Sequence, residues 1–343
     1  MIRINLALQG GGAHGAFTWG VLDRLLDEDD IEVAAISGTS AGALNGAAYK
    51  AGLVQDGREG ARAALDKVWH EVGGLGHPSM MNWLEPFAPA TSAFAKALAY
   101  SPAYVMWEAA ARMMSPYMFG SVVANPLRSI IDEFAWDAVC AADGPDLFVS
   151  ATNVRTGKIR IFSGQDVTTE AILASACLPT LFEAVEIHDP DTGRDEAYWD
   201  GGYSGNPALF PLFPAHLPDD VLIVSINPLH RETLPRDSVS IQSRINEISF
   251  NSSLLRELRA ISFVKRLIAD GSVKRGSMKD VHVHIVQDDD IMNQLGLATK
   301  SIAMPLVIRQ LKDAGRTAMD RFLTAHKPDL GTRGTVDLQA MFT

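Results

Sequence analysis

The sequence of 343 residues predicts an α/β fold of three layers (αβα), in which a mostly parallel central sheet lies between helices. Two units of strand, glycine turn and helix follow one another near the beginning of the chain. The first joins a strand at 3–10 to a helix at 15–26, and the second joins a strand at 32–37 to a helix at 41–50. This order is typical of parallel α/β sheets. It places both glycine turns at the carboxyl edge of the sheet, where such sheets bind ligands.

The same pattern resumes after a long interruption, with apolar segments of strand length and amphipathic segments of helix length. Further strands are predicted at 146–151, 158–163, 182–187, 221–226 and 281–286, and further helices at 58–72, 168–177, 239–269 and 302–324. The sequence contains no internal repeat and no linker-like segment. These features favour one domain with an insertion over two domains.

Composition excludes several classes of protein. Hydrophobic residues make up 47% of the chain and charged residues 21%, which is the balance of a globular protein with an ample core. The net charge of −11 excludes a typical nucleic-acid binder, which carries a basic excess or stripe. Only the segment 254–280 is locally basic; a solvated helix face explains it better than a patch that contacts anionic headgroups.

Two cysteines, Cys140 and Cys177, are too few for a disulfide framework and lack the spacing of metal ligands. Cys177 is expected to pack in the core. The sequence shows neither a signal peptide nor an apolar run of the roughly 20 residues that a spanning helix requires. We therefore expect a cytoplasmic protein that is soluble or makes transient contact with a membrane surface.

An apolar insertion is predicted at about 75–120, where six of the twelve methionines and eight aromatic residues accompany only four charged residues. A segment packed on the sheet explains this composition. A flexible lid or acyl-chain tunnel explains it too, because methionine adapts to varied apolar shapes.

The second glycine turn has the pattern Gly38-x-Ser40-x-Gly42. At a strand-to-helix junction this pattern predicts a nucleophile elbow, a strained turn that presents the serine hydroxyl above the sheet. The serine then lies at a helix N-terminus, where the N–H of Ala41 can stabilise negative charge. Ser40 is therefore the candidate nucleophile.

The first glycine turn exposes backbone N–H groups without obstructing side chains. Its residues are Gly10, Gly11, Gly12, Ala13, His14 and Gly15. A dinucleotide site would require an acidic residue at the end of the following strand, about 20 residues on, but that strand ends at Ser37. An oxyanion hole beside Ser40 fits both glycine turns better.

Asp200-Gly201-Gly202 is the third glycine motif. A serine hydroxyl needs a base, and an aspartate can accept its proton if burial raises the pKa of the carboxyl group. Taken alone, the tripeptide is more often a surface turn, so its interpretation depends on the other two motifs.

Together the three motifs resemble those of the patatin-like phospholipase family, which has G-G-G-x-x-G, G-x-S-x-G and D-G-G in this order. Ser175-Ala176-Cys177-Leu178-Pro179 with Phe182 is similar to another family motif, and Asn206-Pro207 follows the D-G-G motif. The resemblance covers roughly 4–227. We expect this range to be the acyl hydrolase domain and 228–343 to be a mainly helical part packed on it.

The resemblance implies a serine acyl hydrolase that cleaves lipid esters through an acyl-enzyme on Ser40. Asp200 would be the partner of the serine in a dyad without histidine, and no metal or cofactor would be required. The oxyanion would be held by backbone N–H groups of Gly10, Gly11, Gly12 and Ala13. His14, Gly15, Gly38, Ala41, Gly42, Gly201 and Gly202 would support these motifs.

One residue departs from the family pattern. Many members have arginine or lysine where this chain has His14, which can be neutral at pH 7 because the unperturbed pKa of histidine is near 6.5. This departure weakens the expectation of a phospholipid headgroup more than the expectation of ester cleavage. Neutral lipids, short-chain esters and a storage polyester stay open as substrates.

Three alternatives compete with this interpretation. The first is a Ser-His-Asp esterase with His230 as the base, although that fold usually places several strands before its elbow; His282 and His284 are weaker candidates because they alternate along a strand. The second is a non-catalytic lipid-binding protein. The third is a nucleotide-binding protein that uses the first glycine turn.

Overall fold

The computed structural model describes residues 1–75, 97–118, 125–190, 192–274 and 276–342. Its centre is an eight-stranded sheet. The strands are β1 (Ile2–Leu8), β2 (Ile31–Thr39), β3 (Asp146–Asn153), β4 (Ile159–Ser163), β5 (Val185–Asp189), β6 (Arg194–Asp200), β7 (Asp220–Val224) and β8 (His282–Val286).

The strands pair in the order β5-β6-β3-β2-β1-β7-β8, and β4 pairs with β3. From β3 through β8 along this order every pair is parallel. The three pairs at the other end, β3 with β4, β3 with β6 and β5 with β6, are antiparallel. The predicted mostly parallel sheet is therefore confirmed, with an antiparallel extension at one edge.

Helices cover both faces of this sheet. They are α1 (Gly15–Leu25), α2 (Ala41–Gly74), α3 (Pro102–Met113), α4 (Leu127–Asp132), α5 (Trp136–Val139), α6 (Thr169–Ser175), α7 (Ser238–Ala269), α8 (Asp289–Met292), α9 (Leu297–Ser301), α10 (Pro305–His326) and α11 (Leu338–Met341). On one face α1, α2 and α10 share a core with alternate residues of β1 and β2. On the other face α7 packs on β1, β7 and β8. The three-layer αβα class is confirmed.

Three local predictions differ from the structure. Strand β2 continues through the glycine at 38 to Thr39, because it stays paired with both neighbouring strands there. The helix predicted at 41–50 does not end there: α2 runs to Gly74, with a kink at Asp56 and Gly57 that joins the two helices predicted at 41–50 and 58–72. Strand β6 was not predicted; it forms because its alternate side chains are buried against the neighbouring strands.

Helix α7 was predicted as an amphipathic helix at 239–269, but its first half does not bury its apolar side chains. Ile241, Ile245 and Ile248 are exposed to 41%, 52% and 56%. Glu247 and Phe250 are buried there instead. The apolar side chains of α7 that pack on the sheet, Leu254, Leu258 and Ile261, come from its second half, whereas the first half turns a partly polar face toward the protein.

Much of the predicted insertion lies outside the described residues, namely 76–96 and 119–120. Of the described part, α3 exposes large apolar side chains such as Met106 and Trp107. The division at residues 227 and 228 stays a prediction, although β8 pairs with β7 inside the same sheet. None of the helices in the described ranges is long and apolar enough to cross a membrane.

Helices α1 and α10 approach each other so closely that a side chain cannot enter between their backbones. A Cβ atom on Gly315 would lie 2.1 Å from the carbonyl oxygen of Phe17, and one on Gly20 would lie 1.9 Å from that of Lys312. The contact ties a late helix of the chain to the first helix.

We predict that Gly315→Ala lowers the free energy of unfolding by about 1–3 kcal/mol, because neither backbone can move aside for the added methyl group. Urea unfolding measures this change. Gly74→Ala is the matched control: a Cβ at that position meets no atom within 4 Å, so its stability should be unchanged or slightly higher. Equal stability of Gly315→Ala and wild type would contradict the close contact of the two helices.

Candidate active site

Ser40 lies at the junction of β2 and α2, with backbone angles of φ 53° and ψ −121°. It is the one non-glycine residue with positive φ in the described ranges. Such a conformation costs of order 1–3 kcal/mol and persists only where the surroundings impose it. Close packing imposes it here, since a Cβ on Gly42 would lie 2.1 Å from the carbonyl oxygen of Leu8. The turn has the geometry expected of a nucleophile elbow.

Buried hydroxyl groups form hydrogen bonds at this turn. The N–H of Ser40 donates to Ser175 Oγ at 2.8 Å, at the end of α6. Thr39 Oγ1 donates to the carbonyl oxygen of Gly205 at 2.7 Å and lies 2.6 Å from Ser150 Oγ. The N–H of Ser40 is thereby occupied, so it is not available to bind a ligand.

Asp200 ends β6 and is 1% exposed. Its Oδ1 accepts a hydrogen bond of 2.7 Å from the N–H of Gly202, and the hydroxyl of Ser40 lies near enough to its carboxylate to favour the charged form. Burial raises the pKa of Asp200 from 3.8 to about 7, although the N–H of Gly202 and the hydroxyl of Ser40 oppose this rise. A carboxyl group with this pKa can accept and return a proton near neutral pH.

The glycine turn after β1 presents only part of its backbone to the cavity. The N–H of Gly10 donates to Asn206 Oδ1 at 2.6 Å, and the carbonyl oxygen of Gly10 accepts a hydrogen bond of 2.9 Å from Asn227 Nδ2. The N–H of Gly10 thus already has a partner, which disfavours the predicted role of Gly10 as an oxyanion donor. Among the described residues, the N–H groups of Gly11, Gly12 and Ala13 have no acceptor.

His14 lies behind this turn rather than in the cavity. It is buried, and its Nε2 lies 2.8 Å from Thr299 Oγ1. Burial, together with the positive charges of Lys300 and Arg231, lowers the pKa of His14 well below 6.5. The imidazole is therefore neutral at pH 7 and joins the glycine turn to α9.

Ser40 and Asp200 share a cavity of about 610 Å³. Its wall is mostly apolar, with Leu44, Val72, Ile172, Leu178, Leu181 and Phe182 among the lining residues. Asp200 and Lys300 are the only charged residues among the described residues of the wall, and no histidine is among them. The sequence motifs at 10–15, 38–42 and 200–202 are thus brought together at one apolar cavity.

The histidines proposed as alternative bases lie elsewhere. His230 is exposed, and its nearest acidic partner is Glu232 at 3.9 Å. His284 is buried with its Nε2 2.9 Å from Asp220 Oδ1, and His282 lies 3.6 Å from the same carboxylate. None of these three side chains lines the cavity.

The two cysteines provide no second nucleophile for this site. Cys177 is buried as predicted, and burial raises the pKa of its thiol to about 12, so it stays protonated. Cys140 and Cys177 are both free thiols. Within the described ranges, His, Cys, Asp and Glu side chains form no group suited to hold a metal ion.

Several residues of the site escaped prediction from the sequence. Gln9, Asn227 and Asn251 form a buried amide network under the first glycine turn, in which Gln9 Nε2 donates to Asn251 Oδ1 at 3.0 Å. Lys300 reaches the cavity from the last third of the chain. The one sequence signal for this network was Gln9, a polar residue directly after the apolar strand β1, because a buried glutamine requires hydrogen-bond partners.

A strained serine beside a buried carboxylate, above an apolar cavity at the carboxyl edge of the sheet, is the arrangement of an α/β acyl hydrolase. A model of the family described as "Patatin-like phospholipase" matches residues 6–215. Because this match covers more than half of the 343 residues, the chain belongs to the patatin-like phospholipase family. It is a lipid acyl hydrolase, one of the carboxylic ester hydrolases, and the resemblance of its motifs to this family is confirmed.

Among solved structures the chain is similar to VipD from Legionella pneumophila. The TM-score is 0.40 and the sequence identity is 14%, with 95% of this chain and 67% of that chain covered. A search of curated protein sequences finds no match.

The raised pKa of Asp200 leads to a prediction for the pH profile. If Asp200 is the base, kcat/KM for a neutral ester should rise with pH and level off above a pKa of about 7, because only the carboxylate accepts the proton of Ser40. Initial rates with a p-nitrophenyl ester between pH 5 and 9 measure this rise in kcat/KM. A rise with its midpoint near pH 4, where an exposed carboxyl group titrates, would contradict the assignment.

Proposed function

We propose that this family member hydrolyses lipid esters with a dyad of Ser40 and Asp200. The observation that carries the proposal is the buried carboxylate of Asp200, which shares the cavity with the strained serine, lies near its hydroxyl and has a pKa raised to about 7. No histidine among the described residues competes for this position in the cavity.

In the first half of the reaction, Ser40 Oγ attacks the carbonyl carbon of the ester while its proton passes to Asp200. The tetrahedral intermediate then collapses, the bond to the alcohol breaks, and Asp200 returns the proton to the leaving oxygen. The acyl group stays on Ser40 as an ester.

In the second half, water attacks the acyl-enzyme and gives a proton to Asp200. The bond between the acyl carbon and Ser40 Oγ breaks, and the serine oxygen regains a proton from Asp200. The fatty acid leaves, and the dyad is restored without a cofactor.

The oxyanion that forms in both halves needs donors fixed in advance. Gly11, Gly12 and Ala13 supply unpaired N–H groups on one side of the cavity. Ala41, the first residue of α2, also lines the cavity, and a helix N-terminus favours negative charge. These groups flank Ser40 from two different elements.

The apolar wall supports a lipid acyl chain as the group that is transferred. Burial of a methylene group contributes about 0.8 kcal/mol, so a cavity lined by leucine, isoleucine and valine favours longer chains. The ester oxygen atoms would lie at the polar end, beside Ser40 and Asp200. The expected cytoplasmic location and transient membrane contact stay predictions that accompany this function.

We predict that Ser40→Ala and Asp200→Asn each reduce kcat for a p-nitrophenyl ester by roughly a thousandfold or more, because each removes one half of the proton-transfer pair. His230→Ala, at an exposed position, should keep wild-type activity and serves as the control. Circular dichroism and thermal melting show whether each variant is folded.

Three outcomes would contradict the dyad. Turnover retained by folded Ser40→Ala would exclude this serine as the nucleophile. Loss of activity in His230→Ala equal to that of Ser40→Ala would favour a Ser-His-Asp esterase. If wild type binds lipid but does not hydrolyse any ester, the second alternative, a lipid-binding protein, is correct.

A further inference from the structure

The proposed oxyanion turn, residues 10–15, begins with two glycines whose backbone groups differ in their partners. The carbonyl oxygen of Gly10 accepts hydrogen bonds from Asn227 Nδ2 at 2.9 Å and from Asn206 Nδ2 at 3.3 Å. The N–H of Gly11 belongs to the same peptide group and has no acceptor among the described residues. One end of this peptide group is therefore held by side chains, and the other end is free to bind a ligand.

The free end of this peptide group points toward the cavity. The peptide bond between Gly10 and Gly11 is trans, so the N–H of Gly11 points opposite to the carbonyl group of Gly10. Among the described residues, Gly11 lines the cavity, whereas Asn206 and Asn227 do not. The carbonyl group is thus directed away from the cavity and the N–H is directed into it.

The two glycines cannot fix this orientation by themselves, because residues without Cβ atoms allow a peptide plane to rotate at little cost. Larger residues are excluded here: a Cβ on Gly10 would lie 2.8 Å from Ser40 Cβ, and one on Gly11 would lie 2.9 Å from Ile226 Cδ1. A rotated peptide would point a carbonyl oxygen at the oxyanion instead of a donor. The orientation therefore depends on the hydrogen bonds to Gly10.

Lys300, in α9, determines which end of the Asn227 amide faces Gly10. Its Nζ donates to Asn227 Oδ1 at 2.6 Å and to Asn246 Oδ1 at 3.4 Å. An ammonium group can only donate hydrogen bonds, so the oxygen of the Asn227 amide must face Lys300. The NH2 group of the same amide must then face the carbonyl oxygen of Gly10.

The buried amides beside Asn227 reinforce this direction. Asn227 Nδ2 also donates to Gln9 Oε1 at 3.1 Å, and Gln9 Nε2 donates to Asn251 Oδ1 at 3.0 Å. Donors and acceptors therefore alternate from Lys300 through Asn227 and Gln9 to Asn251. Reversal of one amide would oppose two donors or two acceptors in a buried place, which is costly.

The charge of Lys300 strengthens the same hydrogen bonds. Burial lowers the pKa of its amino group from 10.5 to about 8, which leaves the ammonium form in the majority at pH 7. Hydrogen bonds in series polarise one another. An ammonium group on Asn227 Oδ1 makes Nδ2 a stronger donor to Gly10, and the polarised peptide group makes the N–H of Gly11 a stronger donor in turn. The charge thus acts at the cavity through the amide.

We propose that Lys300 and Asn227 form a hydrogen-bond relay that orients and polarises the N–H of Gly11 toward the oxyanion of the reaction. The proposal rests on the proposed function, because the relay acts through the oxyanion turn. Both are positioning residues, and both lie beyond residue 215, where the family match ends. Since the oxyanion forms only during the reaction, the relay affects kcat and leaves KM nearly unchanged.

Two ketones that carry the same decyl chain separate the oxyanion from the rest of binding. With the trifluoromethyl ketone, Ser40 Oγ adds to the carbonyl carbon, the serine proton passes to Asp200, and the carbonyl oxygen becomes an oxyanion. The methyl ketone binds without this addition, because its carbonyl carbon is much less electrophilic. The ratio of the two Ki values, measured against p-nitrophenyl decanoate, therefore reports stabilisation of the oxyanion.

Asn227→Asp keeps the shape of the side chain and its contact with Lys300, but it places an acceptor opposite the carbonyl oxygen of Gly10. We expect it to raise the Ki of the trifluoromethyl ketone and to lower kcat by about a hundredfold each, with the methyl ketone Ki and KM changed less than about twofold. Lys300→Met should have the same pattern at about tenfold. Lys300→Arg keeps a charged donor and should restore most of the ratio.

Two variants away from the cavity are matched controls. Asn5→Asp makes the same exchange at a buried asparagine of β1, whose Nδ2 donates to the carbonyl oxygen of Pro218 at 2.7 Å. Lys279→Met removes a lysine whose Nζ bonds three backbone carbonyl oxygens. Both should keep the wild-type ratio of Ki values, even where thermal melting shows lower stability.

A wild-type ratio in folded Asn227→Asp and Lys300→Met would overturn the relay, and so would an equal rise of both Ki values. If Asn227→Asp does not fold, Lys300→Met and Lys300→Arg decide the question by the same ratio, because both leave Asn227 in place. Failure of the proposed function has a different signature: Ser40→Ala would bind the trifluoromethyl ketone as tightly as wild type does.

Discussion

The strained backbone at Ser40 is the constraint on which the rest of the site depends. A serine with φ 53° relaxes unless its neighbours prevent it, and here β1 lies so close to Gly42 that no side chain fits between them. Ser175, at the end of α6, accepts a hydrogen bond from the N–H of Ser40. Asp200, at the end of β6, lies near the hydroxyl of Ser40. The sheet and its flanking helices therefore serve as a rigid frame around one turn.

Burial of the side chains around this turn then decides the protonation state of each ionisable group. Burial raises the pKa of Asp200 into the neutral range, where a carboxyl group exchanges protons readily. Burial and nearby cations keep His14 neutral, and burial lowers the pKa of Lys300 without removing its charge at pH 7. The same low-dielectric surroundings thus make Asp200 a base, keep His14 neutral and leave Lys300 a cation.

The elements next to the site could be predicted because their signals are local. Glycine turns between short apolar strands and helices indicated β1, β2 and the elbow at Ser40, and the motif order connected Asp200 to them. The occupied N–H of Gly10 could not be foreseen, because its acceptor Asn206 lies 196 residues away in sequence. Lys300 was missed for the same reason: α9 reaches the oxyanion turn only through tertiary packing, which no local pattern in the sequence encodes. The exposed isoleucines of α7 show the opposite error: their regular spacing predicts a buried apolar face, but these side chains are exposed.

The account's central claim is that the hydroxyl of Ser40 is the group that becomes acylated. Peptide mapping by mass spectrometry, after wild-type protein reacts with a fluorophosphonate probe, tests it most directly. We expect a single adduct on the peptide that contains Ser40, and little adduct when Asp200 is replaced by asparagine, because the serine then lacks its base. An adduct on another serine, or ester hydrolysis that continues while Ser40 stays unmodified, would contradict the claim.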